Sequence, residues 1–76
     1  MGNINPILNE IVKCLAENDW KPAYISKKAG LHSSALSGMI RRNSVPRIIT
    51  LIKICNALNI SLSELIRRVE NNYESY

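Results

Sequence analysis

At 76 residues the chain has room for one domain with one modest core, which excludes a second domain. A hydrophobic share of 46% beside a charged share of 21% is near the globular average and excludes a disordered polyelectrolyte. The formal charge of +4 and a pI near 9.4 understate the asymmetry, because Lys21, Lys27, Lys28, Arg41, Arg42, Arg47 and Lys53 fall between Asp19 and Glu64 with no acid among them. A polyanionic partner is the expectation from such a block.

Ile4, Leu8, Ile11, Val12 and Leu15 recur at helical spacing, with Asn5 placed to cap the helix and Pro6 at its first position, where a missing N–H does no harm. This first helix is expected to end near Asn18. Pro22 opens a short second helix carrying Ile25 and Ala29, closed by Gly30 in a left-handed turn. Ser33 is the expected cap of a third helix with Ala35, Leu36, Met39 and Ile40 on one side, ended by Asn43. Ile48, Leu51, Ile52, Ile54, Cys55 and Leu58 form the most apolar helix. Ser61 and Glu64 make a capping box for a fifth, with Leu62, Leu65, Ile66 and Val69. No stretch alternates with period two between turn signals, so the expected fold is all-α, with about five helices. Residues 1–70 are read as the domain and 71–76 as a short frayed tail.

Cys14 and Cys55 lie in apolar-periodic segments. MGNINP lacks the basic-then-apolar pattern of a secretory leader, so reduced buried thiols in a cytoplasmic protein are expected. One histidine and no CxxC offer no metal site. His32 has no nucleophile-and-acid set around it, so no catalysis and no cofactor are implied, and nothing suggests a small-molecule ligand. No apolar stretch approaches the roughly 20 residues of a membrane span. The charges are spread over helices and loops rather than along one face, which weighs against a membrane surface as the polyanion.

The third helix poses the functional question. Opposite Leu36, Met39 and Ile40 it carries Ser33, Ser34, Ser37 and Gly38, where a solvated face would usually hold Glu, Lys and Gln. The second and third helices are also spaced for a steep crossing: Ser26 is small, Gly30 turns the chain and Leu36 points back. Residues 22–65 resemble the DNA-binding domain of the lambda-repressor-like family, the Cro/repressor or XRE type. The matching residues are Ile25-Ser26, Gly30-Leu31, Leu36, Pro46, Leu51, Ile54-Cys55, Ala57-Leu58, Ile60-Ser61-Leu62 and Glu64-Leu65.

The resemblance implies a helix-turn-helix at helices two and three, with the third helix in the major groove of double-stranded DNA. Carried over by position, Ser33, Ser34, Ser37 and Gly38 would contact bases, joined by Arg41. Their small size would let the helix approach the groove floor. Lys21, Tyr24, Lys28, His32, Arg42, Asn43, Ser44 and Arg47 would contact phosphates, which position without specifying sequence. Pro22 stands where relatives commonly place a bracing Gln, and Ile40 and Arg42 replace a common Glu-x-Gly; with Ser and Gly in the reading positions, the resemblance leaves readout to shift to Arg41, Arg42 and Asn43 at the far end of helix three, or to groove shape. Relatives bind as dimers, so a homodimer through Leu62, Ile66, Val69 and Tyr73 of the fifth helix is expected. The implied function is a sequence-specific transcription regulator, a small bacterial or phage-type repressor. The alternative is a protein-interaction module on the same fold, antitoxin-like or adaptor-like, with weak or nonspecific DNA binding.

Overall fold

The computed structural model describes residues 4–74, and these form five helices with no strand: α1 (Pro6–Asn18), α2 (Pro22–Lys28), α3 (Ala35–Arg42), α4 (Ile48–Leu58) and α5 (Leu62–Glu74). The all-α, five-helix expectation is met. No single described helix is long and apolar enough to cross a membrane.

Local signals start and stop these helices. The Asn5 side chain accepts from the Ile7 amide at 2.9 Å, and Pro6 fills the first position of α1. At the other end, α1 to α4 all finish alike. A left-handed residue follows the helix (Asp19, Gly30, Asn43, Asn59), and its amide and the next one return to carbonyls of the last turn. At Gly30, with φ +77°, the Gly30 amide donates to Lys27 and the Leu31 amide to Ser26, at 3.0 and 2.8 Å. This is the Schellman arrangement, which satisfies carbonyls that a helix end would otherwise leave open. The Ser61 hydroxyl accepts from the Glu64 amide at 3.0 Å, as a capping box requires. The Glu64 carboxylate lies along the helix, 3.2 Å from Arg68 Nε and 3.7 Å from Arg67 Nη1.

Leu8, Ile11, Leu15, Ile25, Leu36, Leu51, Ile54, Leu58 and Leu65 pack into one core with Cys14 and Cys55, and Trp20, Met39 and Leu62 lean against it. The core joins α1 to α5 and α4 to both α2 and α5, so α3 is held mainly by α2. That leaves one side of α3 facing outward, with Arg41 and Arg42 exposed.

Two expectations change. Of the tail expected to fray at 71–76, the part as far as Glu74 is helical, with Asn72 donating to the buried Glu10 carboxylate at 2.6 Å and tying α5 to α1, and residues 75–76 lie outside the described residues. The cap of α3 is Ser34 rather than Ser33, since a turn through residues 33 and 34 precedes the first helical hydrogen bonds. Arg68 is also more than a solvated charge: its guanidinium donates to the Cys14 sulfur at 3.3 Å as well as to Glu64.

Candidate nucleic-acid interface

The crossing of α2 and α3 depends on one buried hydroxyl. Ser26, fully buried, donates to the Pro22 carbonyl at 2.9 Å and accepts from the Leu36 amide at 3.0 Å. The Leu36 amide lies in the first turn of α3, where helix donors lack intrahelical partners. A side chain of α2 therefore caps α3 from the side and sets the crossing. Pro22 opens α2, and Ser26 supplies the brace one turn later.

The entry to α3 is tightened by His32. Its Nδ1 lies 2.9 Å from the Ser34 hydroxyl and accepts from the Ser34 amide at 3.3 Å. The Ser37 hydroxyl donates to the Ser34 carbonyl at 3.2 Å. Of the expected base contacts, Ser34 and Arg41 are exposed and Ser33 and Ser37 half-buried, whereas Leu36 is fully buried.

Gly38 departs from expectation. It belongs to the outward side of α3 yet is buried. A Cβ built there would stand 3.0 Å from Nη1 of Arg42 and 3.6 Å from its Cζ and Nη2. The Arg42 guanidinium thus lies across Gly38 as a cover.

The residues expected to contact phosphates lie at α2, at the two ends of α3 and at the start of α4. Lys21, Tyr24, Lys28, His32, Arg42, Asn43, Ser44 and Arg47 are all exposed. Lys28 Nζ sits 5.8 Å from the ring centroids of both Trp20 and Tyr24, whose own centroids are 6.2 Å apart. Asn43 has a second task, since its side-chain oxygen accepts from the Asn5 amide at 2.7 Å and joins the end of α3 to the start of α1.

A match to a family model decides what this geometry belongs to: residues 10–71 match the Cro/C1-type HTH DNA-binding domain. The chain belongs to that family. Its partner class is double-stranded DNA, and Cro/C1-type domains are DNA-binding regulators, which agrees with the helix-turn-helix resemblance. No curated protein and no solved structure matches the chain.

Two of the four residues expected at a dimer face on α5 pack inward. Val69 is 8% exposed and Leu62 packs on the core, so of these two neither presents a free apolar side chain. Ile66 is 36% exposed, and Tyr73 lies outside the residues whose side chains are described. The most exposed apolar side chains are instead Ile48 and Ile49 at the start of α4, at 56% and 62%. Sequence periodicity could not separate these cases, because α4 is apolar on nearly every side.

The two thiols are buried and free, and burial pushes both up from their ordinary value of 9.0, with the Arg68 guanidinium partly opposing the rise at Cys14. They are core residues and not part of this surface.

Proposed function

We propose that this Cro/C1-type protein is a sequence-specific transcription regulator of the small bacterial or phage repressor kind, occupying an operator with α3 in the major groove. The observation that carries the reading is the outward side of α3. Ser34, Ser37 and Arg41 stand clear of the core that holds Leu36, and a surround of basic residues contains no acid between Asp19 and Glu64. Hydroxyls bond many base-edge groups, and Lys21, Tyr24, Lys28, Ser44 and Arg47 supply the phosphate contacts that hold register. His32 and Asn43 act at the two ends of α3, where each also braces the chain. A second copy of the chain is the proposed partner that pairs two half-sites about one DNA turn apart, and a cytoplasmic place follows from the role.

Selection of bound duplexes from a random pool at near-physiological salt tests the reading. An enriched palindrome supports a dimeric operator binder, and a single enriched half-site keeps base reading but removes the dimer. If no sequence is enriched, the reading fails.

A second reading, an adaptor-like module that binds protein, is favoured by Ile48, Ile49 and Ile52, which are exposed together on the first turns of α4. It predicts little DNA binding at physiological salt, so the same selection separates the two.

A further inference from the structure

Gly38 sits inside an eight-residue helix with ordinary helical geometry, so no left-handed turn calls for glycine there. An interior glycine costs about 1 kcal/mol relative to alanine, a large burden for so short a helix. What occupies the missing side chain's place is the guanidinium of Arg42, with three of its atoms between 3.0 and 3.6 Å from the Cβ position. Helical side chains lean toward the N-terminus, so Arg42 reaches back one turn to the level of Gly38, between the exposed Ser34 side of α3 and its end.

Two hydroxyls on this face are engaged internally, while Arg41 stays exposed. The Ser34 hydroxyl is paired with His32 Nδ1, and the Ser37 hydroxyl donates to the Ser34 carbonyl. Among the described residues Arg42 has no carboxylate and no hydrogen-bond partner, in contrast to Arg67 and Arg68 with Glu64. A planar group with five donors and no partner is thereby laid flat on the side of the helix that the operator reading turns toward the groove.

We propose that Arg42 is a base-reading residue rather than a phosphate contact, and that Gly38 is the positioning residue that admits its guanidinium to the reading face. The inference rests on the operator reading above and names the residue that gives it most discrimination. A guanidinium held there meets the O6 and N7 acceptors of a guanine as a bidentate donor, a recognition that the serines cannot supply alone. A side chain at position 38 would occupy the guanidinium's resting place, which only glycine leaves open.

The test compares Arg42→Lys and Gly38→Ala with the unaltered chain, by selection from a random duplex pool and by competition between single-base variants of the enriched site. Arg42→Lys keeps the charge and removes the bidentate fork. Preference at one base pair should relax by roughly 5- to 150-fold, while affinity for random duplex stays within about twofold. Gly38→Ala should relax the same base pair while the thermal midpoint rises or holds, since the flexible arginine swings aside and the helix gains a better former. Opposite signs in stability and specificity are not produced by a merely structural glycine.

Uniform weakening by Arg42→Lys across all duplexes would assign Arg42 to phosphate and overturn the proposal while leaving the operator reading intact. Unchanged base preference in Gly38→Ala would overturn the positioning role. If the unaltered chain enriches no sequence, the operator reading and this proposal fall together.

Discussion

The hydroxyl of Ser26 and the amide of Leu36 meet at 3.0 Å inside the core, so one oxygen atom ties α2 to the first turn of α3. Removing it leaves a buried donor unsatisfied, which costs about 1–3 kcal/mol. Ser26→Ala should lower the melting temperature by at least about 4 °C and weaken DNA binding in parallel. An unchanged midpoint by circular dichroism would mean that the Leu36 amide finds another partner at no loss.

Gly30 offers a purely conformational test. Nothing lies within 4 Å of a Cβ built there, so space is available, but φ is +77°. Gly30→Ala should destabilise by roughly 1–2 kcal/mol, and Gly30→Asn by less, because Asn tolerates the left-handed region. Equal losses in denaturant titrations would point away from backbone strain.

Salt dependence measures the phosphate contacts. If about five phosphates are neutralised per subunit, log affinity should fall against log salt with a slope of about −4 to −5. Arg47→Ala should reduce that slope by about 1 and weaken all sequences alike. Fluorescence anisotropy with a labelled duplex across a salt series reads both; an unchanged slope would place Arg47 away from the DNA.

Stability should also depend on alkaline pH. Burial raises both thiols in the folded chain above 9.0, so on the way up the unfolded chain loses its protons first. The unfolded state then binds fewer protons than the folded one, and unfolding free energy falls as pH rises past about 9. Below that range both states are protonated and the effect vanishes. Urea unfolding at several pH values checks the sign, and substituting Ala for both cysteines should flatten the thiol-dependent part of the curve.

The isoleucines of α4 give a last contrast with α5. Ile49 is 62% exposed, so Ile49→Lys should leave monomer stability within about 0.5 kcal/mol. Val69→Ser, at a buried site, should unfold the chain more readily. Sedimentation of both variants shows whether association depends on α4; a stable, dissociated Val69→Ser would restore the α5 interface.

What could be read in advance was what is local. Pro6, Pro22, Gly30 and Ser61 act within a few residues of where they stand, and the spacing of Ser26, Gly30 and Leu36 already carried the helix crossing. What could not be read joins distant parts of the chain. Glu10 meets Asn72 across 62 residues, Cys14 meets Arg68 across 54, and Asn5 meets Asn43 across 38. Periodicity ranks apolar faces and is silent about such polar pairs, which is why the α5 tail was expected to fray. Arg42 is a further kind of case: it lies over Gly38, four residues away, but which rotamer a long charged side chain adopts is not written in the spacing of its neighbours.

The aromatic corner formed by Trp20, Tyr24 and Lys28 gives the chain an optical reporter of its own. Trp20 is the single tryptophan, and the Lys28 ammonium rests 5.8 Å from its ring centroid. An anion that draws Lys28 outward changes the electric field at the indole, and with it the colour and yield of its emission. Engagement of this edge by DNA can therefore be followed by intrinsic fluorescence without attaching a dye to protein or duplex.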